Sequence, residues 1–460
     1  MLDSGLVSDL RALVGEAGLL TGAAVREHAL DVQGHVAQAQ ALVRPAQTEE
    51  VSAVLRLCHA RSQPVVPQGG RTGLVEGTVT GAGDLILSLE RMNRIEHTDP
   101  ANRTMRVQAG VVLQRAQEEA EQHDLMFPLD LGARGSCTIG GNIATNAGGV
   151  RVLRFGMMRS LVLGVEAVLA DGTVLTSLNR MLKNNAGYDL KHLFIGTEGT
   201  LGVITRAELR LFARPRSIST ALIACSGFDS LVRLLGFLDG QLTGQLAAFE
   251  ALWPEYYEIT TSPPAKSTPA IQHGHGMYAL IETLGADPDA DLERLEQALA
   301  SALERELIED AVIAKSEAER RVLWGPREDV WQVQQQYGVT CNFDVSLPVG
   351  SMAAYLARVR QDVGAEFKGG RVFGFGHIAD GNLHVIVVPG SGDEAARLAA
   401  ERIVYEPLRA LEGSIAAEHG IGLERRMHLS ICRTPQEIQT MRALKAALDP
   451  HSILNPGKVI

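Results

Sequence analysis

The sequence predicts an α+β protein of more than one domain, and three observations predict it. Up to Pro215 the chain is punctuated by glycine clusters and short extended apolar segments. Beyond Pro215, helical periodicities alternate with strand-like runs. The length, 460 residues, suffices for two or three domains with a substantial core. We expect an N-terminal helical segment at 1–35, a first α+β domain at 36–215, a second at 216–440 and a C-terminal segment at 441–460 that docks back on the body.

The elements follow in order. "MLDSGLVSDLRALVGEAGLL" reads as an amphipathic helix, with acids and an arginine where a signal peptide needs a basic end and an apolar run. A helix from about Thr48 to His59 leads to the strand "PVVP" and a loop of four glycines ending at Gly77. "LVLGVEAVLADGTVL", 161–175, is two apolar runs split by Asp171-Gly172, a hairpin pattern, and "TLGVITRAELRLFARP" closes the β-rich stretch at Pro215. In the second half "FDSLVRLLGFLDGQL" and "DLERLEQALASALEREL" are helical, "HGMYALIETLG" and "RVFGFGHIADGNLHVIVVP" are strands, and "GADPDADLE", 285–293, reads as an exposed connection.

Composition narrows the function. The chain is 45% hydrophobic and 21% charged with 47 glycines, the profile of a globular enzyme rather than a fibre or a disordered tail. A formal net charge of −11 provides no basic field for nucleic acid or anionic lipid. Five scattered cysteines without a C-x-x-C read as reduced thiols, not a disulfide framework or an iron–sulfur site, so a cytoplasmic address is expected, with peripheral contact at the inner membrane face left open. No run of eighteen uncharged apolar residues predicts a membrane span.

Two glycine clusters, "PQGGRTGLVEG" at 67–77 and "PLDLGARGSCTIGGNIATNAGGVRVLRFG" at 128–156, let the backbone approach a ligand closely and present successive N–H groups to oxyanions. Neither is the dinucleotide G-x-G-x-x-G or the Walker G-x-x-x-x-G-K-[ST], which argues against a nicotinamide site of Rossmann type. In "GFGHIADGNLH", 374–384, an Asp380-Gly381 two-residue turn would set His377 directly across the ladder from His384, with Cβ atoms about 5 Å apart and both imidazoles on one face. That spacing suits one metal ion.

These segments, with "YDLKHLFIGTEGTLGVIT", "AEHGIG" and "LDPHSILNPGK", occur in order across nearly the whole chain. Together they resemble the flavoproteins of vanillyl-alcohol oxidase type, and within them the D-2-hydroxyacid dehydrogenase group, which spans D-2-hydroxyglutarate dehydrogenase, acceptor-dependent D-lactate dehydrogenase and the glycolate oxidase flavin subunit. The resemblance implies a two-subdomain FAD-binding domain, an α+β substrate or cap domain, and a C-terminal return to the flavin. It implies that Pro67, Gly69, Gly70, Arg71, Thr72, Gly73, Leu74 and Gly77 cradle the pyrophosphate. Pro128, Asp130, Ser136, Thr138, Gly141, Asn142, Thr145, Asn146 and Gly149 would follow the flavin and ribityl chain. Gly199, Gly202, Val203 and Ile204 would enclose the adenine end, and Asn455 would lie close to the isoalloxazine. The first loop has no His or Cys, so FAD is expected to be non-covalent.

The same resemblance implies that His377, His384 and Glu418 bind a divalent metal, zinc being expected, and that His419 is the catalytic base. Arg327 matches the family's arginine for the substrate carboxylate, in a segment that reads as helix after Pro326. Three positions depart from hydroxyglutarate-type members: Trp331, one turn beyond Arg327 on the same helix face, Asn342 in place of a lysine, and Ile386 in place of a polar residue. Their loss of polarity predicts a D-2-hydroxy acid with a side chain less polar than hydroxyglutarate, the alternatives being hydroxyglutarate itself or a flavin subunit of a glycolate- or lactate-oxidising complex. Electrons are expected to pass to an electron-transfer flavoprotein, a quinone or a cytochrome, and a homodimer is expected. The competing readings are an oxygen-using flavin oxidase and a non-catalytic flavin subunit of a larger complex.

Overall fold

Strands form where β-branched and leucine-rich runs are buried on both faces, as at Val65-Val66 and Leu85-Ile86-Leu87. The structure, a computed structural model, describes residues 3–460. The chain divides into two units, the first comprising the residues up to Gly149, Gly156–Arg214 and Glu418–Ile460, the second Val150–Phe155 and Pro215–Ala417.

The first unit opens with the expected helix, Ser4–Val14. Strands β1 (Leu19–Thr21), β2 (Ala41–Val43), β3 (Val65–Gln68) and β4 (Leu85–Ser88) form a sheet in the order β1-β2-β4-β3, parallel except for β1. The helix Thr48–Ala60 packs Val51, Val54 and Leu55 into the core beneath it. Next come β5 (Ile95–Asp99), β6 (Thr104–Gln108), β7 (Leu125–Met126), β8 (Val162–Val168), β9 (Val174–Ser177), β10 (Val203–Arg210) and β11 (Phe212–Ala213). Five of them make an antiparallel sheet, β5-β6-β10-β8-β9, and β7 pairs with β11. The β8–β9 hairpin turns at Asp171-Gly172 as the sequence predicts. The C-terminal segment returns to this unit: Leu454 bridges Val65, and Ile453 and Leu454 are buried in its core.

The second unit is built on one antiparallel sheet of seven strands: β12 (Ser217–Cys225), β13 (Leu246–Leu252), β14 (Met277–Gly285), β15 (Asp310–Ile313), β16 (Cys341–Ser346), β17 (Arg371–His377) and β18 (Asn382–Val388). Their spatial order is β15-β12-β14-β13-β17-β18-β16. Helices Pro254–Thr261, Glu317–Glu328 and Gln332–Tyr337 contribute Tyr256, Leu323 and Val333 to a core with Leu252, Phe375 and Ile386 of the sheet. Among the described residues no helix is long and apolar enough to cross a membrane.

Three local expectations are corrected. The segment 285–293 is not a simple connection: Pro288 opens the helix Pro288–Glu304, and Asp287 caps it by accepting from the Ala290 amide. Pro326 lies inside the helix Glu317–Glu328 rather than at its start, and the chain breaks at Asp329 before Gln332–Tyr337. The β17–β18 register is displaced by two residues, so that Phe375, not His377, faces His384. The turn is a single 3-10 turn at Ile378–Asp380 followed by Gly381 in the left-handed region, and Asp380 accepts from the Asn382 amide. A displacement of two keeps the alternation, so the histidines still share a face.

Candidate active site

Strand alternation assembles a polar row on one face of the seven-stranded sheet. Glu250 on β13 lies opposite His377 on β17, while His384 on β18 lies between Phe375 and its partner on β16, Asp344. All five side chains therefore point the same way. The His377 and His384 rings are 5.4 Å apart and inclined by 76°. Glu250 is wholly buried; its Oε1 lies 2.5 Å from His377 Nδ1 and its Oε2 accepts from Arg327 Nε at 2.6 Å. Burial by itself would raise this carboxyl, but the His377 and Arg327 charges outweigh it and hold it down at about 2. With Nδ1 turned to a carboxylate, His377 presents Nε2 outward, where Arg327 Nη2 stands 3.3 Å away. The Arg327 guanidinium also lies over the Phe375 ring at 4.8 Å.

His377, His384 and Glu418 each offer a ligand atom, and these atoms lie within 4.8 Å of one another. Glu418 follows directly on Ala417, whose amide is bonded to the carbonyl of Asp344. Two imidazoles and a carboxylate at such separations suit an ion with ligand bonds of about 2 Å, and leave positions open for a substrate. Glu418 Oε1 also accepts from the Gly149 amide at 2.5 Å, and a Cβ at Gly148 would overlap that carboxylate. The last glycines of the second cluster thus serve Glu418, and the amide of Gly149 is engaged there.

His419 sits in the loop "EHGIG", which Glu198 secures. The partly buried Glu198 carboxylate accepts from the amides of Ile421 at 2.7 Å and Gly422 at 3.0 Å. Burial raises its pKa, opposed by those two amides and by the Arg425 and Lys458 charges. A Cβ at Gly422 would overlap the Val75 carbonyl, so this loop and the first glycine loop touch at backbone level. Asn455 closes the same network: Nδ2 donates to the carbonyls of Glu198 at 2.8 Å and Gly77 at 3.3 Å, and Oδ1 accepts from Lys458 Nζ at 2.6 Å. Its side chain is thereby engaged in joining loops.

The two glycine clusters meet each other. A Cβ at Gly69 would overlap Thr138 Oγ1, and one at Gly70 the carbonyl of Ser136. Thr138 caps the helix Ile139–Ala144 by accepting from Gly141, and Thr145 donates back to the Gly141 carbonyl. Gly199 packs on Pro67, Gly202 on Phe194, and Val203 and Ile204 begin β10, buried. Pro128 is buried, and Asn142 with it, whereas Thr72, Gly73 and Leu74 lie in the open part of the first loop. Three predicted contacts use their side chains internally: Arg71 donates to Leu30, Asp130 pairs with Arg134, and Asn146 accepts from the Arg159 amide. Gln68, at the mouth of the loop, has a buried Oε1 with no partner among the described residues. The glycine backbone suits the phosphates of a ligand such as FAD, and the unmatched acceptor at the rim calls for a donor such as a hydroxyl of the same ligand.

The positions singled out for substrate are divided. Arg327 joins the polar row. Asn342 and Ile386 pair across β16 and β18, next to Asp344 and His384, with Ile386 buried among Phe373 and Phe375. Trp331 does not share the Arg327 face: the helix ends at Glu328, and the indole is 53% exposed. Glu250, Asp344 and Glu198 were not singled out from sequence. Each had a visible mark, since "AAFEALW" and "CNFDVS" carry one acid within a strand and "GTEGTLG" one acid among glycines.

Comparison with known proteins agrees with this arrangement. Residues 39–177 match the FAD binding domain family, and residues 214–459 match the C-terminal domain of FAD linked oxidases. D-2-hydroxyglutarate dehydrogenase of Danio rerio mitochondria is 40% identical over 419 residues, 91% of this chain and 78% of that protein. The D-2-hydroxyglutarate dehydrogenase of Xanthomonas citri pv. viticola is 39% identical over 424 residues, 91% of this chain and 89% of its own. A D-2-hydroxyglutarate–pyruvate transhydrogenase of Saccharomyces cerevisiae is 33% identical over 471 residues, covering 100% of this chain and 95% of that one. Among solved structures, p-cresol methylhydroxylase superposes with a TM-score of 0.78 at 16% identity over 99% of this chain and 96% of its own, and alkyldihydroxyacetonephosphate synthase with 0.77 at 17% over 100% and 86%. Fold and glycine cradle define a flavin-dependent oxidoreductase. The chain belongs to the FAD-linked oxidases, and its FAD domain has the fold of the vanillyl-alcohol oxidase type.

Proposed function

We propose that this protein oxidises a D-2-hydroxy acid to the 2-oxo acid, and the observation that carries the reading is the His377–His384–Glu418 cluster with His419 beside it in sequence. The relatives named for D-2-hydroxyglutarate support the substrate class. When bound, FAD would supply the hydride acceptor, and a divalent ion, zinc by its donor set, would supply the positive charge that polarises the substrate's hydroxyl and carboxylate. His377, His384 and Glu418 would hold that ion. His419 accepts the hydroxyl proton on a ring nitrogen. Arg327, its Nε fixed by Glu250 and its Nη2 standing 3.3 Å from His377 Nε2, is the cation for the substrate carboxylate, an anion that a planar guanidinium suits.

The side chain of the acid is less polar than that of hydroxyglutarate. Ile386 is buried in an apolar cluster beside His384, and Asn342 next to it carries no charge, so neither of these two residues offers a cation to a second carboxylate. FAD is held non-covalently, and the electrons leave to an external acceptor. An electron-transfer flavoprotein, a quinone and a cytochrome are the candidates, and the yeast relative's name adds a 2-oxo acid to the panel.

The test is anaerobic bleaching of the holoenzyme's flavin by D- and L-2-hydroxy acids before and after chelation. Chelator-sensitive bleaching by D-acids, with D-lactate or larger apolar acids ahead of D-2-hydroxyglutarate, is the expected result. Bleaching by L-acids alone, or none at all, refutes the reading.

A further inference from the structure

The polar row contains a group for which the proposed chemistry has no direct use. Glu250 meets neither hydride nor proton, yet it is a wholly buried carboxylate with both oxygens committed. One oxygen faces Nδ1 of a candidate metal ligand and the other accepts from the candidate substrate arginine, and strand pairing places it directly opposite His377. A second buried acid stands behind the other histidine: Asp344 Oδ1 lies 3.8 Å from His384 Nδ1, while it also accepts from Asn382 Nδ2 at 2.8 Å. At His377 the carboxylate is within hydrogen-bond distance of Nδ1, whereas Asp344, at 3.8 Å, is a nearby charge to His384 Nδ1 rather than a hydrogen-bond partner. A carboxylate at Nδ1 keeps the proton there, fixes the ring plane and raises the basicity of Nε2, the atom left to ligate. At Glu250 the same carboxylate also sets where the guanidinium can stand.

From this we infer that Glu250 is a positioning residue that builds the metal-binding and carboxylate-binding halves of the site together, orienting His377 Nε2 toward the ion and Arg327 toward the substrate. The inference rests on the reading proposed above. It predicts that one substitution weakens two ligands at once, without touching the flavin. An acid retained merely as a buried countercharge in the strand would affect stability and neither ligand selectively.

The experiment compares holoenzyme of wild type, His377→Ala, Glu250→Gln and Glu250→Asp. Zinc affinity is read by competition with a chelating dye, and KM and kcat for the best hydroxy acid are read at saturating zinc. We expect Glu250→Gln to lose 10- to 100-fold in zinc affinity, to raise KM more than it lowers kcat, and to keep full flavin content. Glu250→Asp, which retains the charge, should recover part of the zinc affinity, and it is the variant to read if Glu250→Gln does not fold. Wild-type zinc affinity in these variants, with binding abolished by His377→Ala, overturns the inference and leaves the proposed metal site standing. Zinc binding that is absent from wild type or indifferent to His377→Ala overturns both.

Discussion

Removing the acceptor that holds the His419 loop should unfasten that loop while the flavin stays bound. In Glu198→Gln the side chain keeps its size but offers one carbonyl oxygen to two amides, those of Ile421 at 2.7 Å and Gly422 at 3.0 Å. One bond survives; the amide's own NH2 then faces the other donor and strands it. A hydrogen bond to a charged group is worth about 1.5–3 kcal/mol, and a stranded buried donor costs about 1–3 kcal/mol. The closed loop should therefore lose about 2–4 kcal/mol, a factor of roughly 30 to 1,000 in its opening equilibrium. The assay is amide hydrogen exchange of the flavin-loaded protein, read at Ile421 and Gly422, together with kcat and flavin stoichiometry. We expect exchange there to accelerate by that factor, kcat to fall at least tenfold and flavin content to hold. Unchanged protection at both amides would refute the reasoning, since the carboxylate would then not be what orders the loop.

Further outcomes follow from the same residues. His419→Ala should abolish flavin bleaching by D-2-hydroxy acids while leaving FAD bound; near wild-type bleaching rates would remove His419 from the role of base. Asn342→Lys places a cation beside Ile386 and should raise kcat/KM for D-2-hydroxyglutarate relative to D-lactate by at least tenfold, measured with an artificial acceptor, and an unchanged ratio would show that this position does not face the side chain. Lys458 is almost wholly buried, and burial lowers its ammonium from 10.5 to about 8, with Asp84 and Glu198 only partly opposing this. Between those values the unfolded chain binds the proton that the folded one has lost, so stability rises with pH by about 1.4 kcal/mol per unit, about 3 kcal/mol in total. In urea unfolding of wild type against Lys458→Met, that increment should appear as a growing difference from pH 8 to 10.5; parallel curves would count against it.

Much of this protein is legible in one dimension because its signals are local. A period of 3.6 places the helices Thr48–Ala60 and Phe228–Leu242, since burial on one face imposes that spacing, and apolar runs place the strands at 162–168 and 277–285, which are buried along nearly their whole length. The glycine clusters announce close backbone approach for the same reason: at Gly69 and Gly70 a Cβ has nowhere to go. Where a local rule was read incompletely, as at Asp287-Pro288, the information was still in the sequence.

What only the tertiary structure decided is how side chains distant in sequence are used. The hairpin register of His377 and His384 depended on a 3-10 turn that competes with the two-residue turn, and local composition does not settle which wins. Trp331 left the Arg327 face because the helix ended at Glu328. Gly149, Asn146 and Asn455, expected to touch a flavin directly, have hydrogen bonds with Glu418, Arg159, Lys458 and neighbouring loops, partners set by chain folding. Glu250, 127 residues from His377, reads in sequence as one acid in an apolar strand. By itself the sequence determined most of the elements and the glycine clusters of the FAD binding domain, because these are imposed by spacing and residue chemistry. Strand pairing decided which carboxylate stands behind which histidine, because a buried charge takes its meaning from the partner that the fold brings to it.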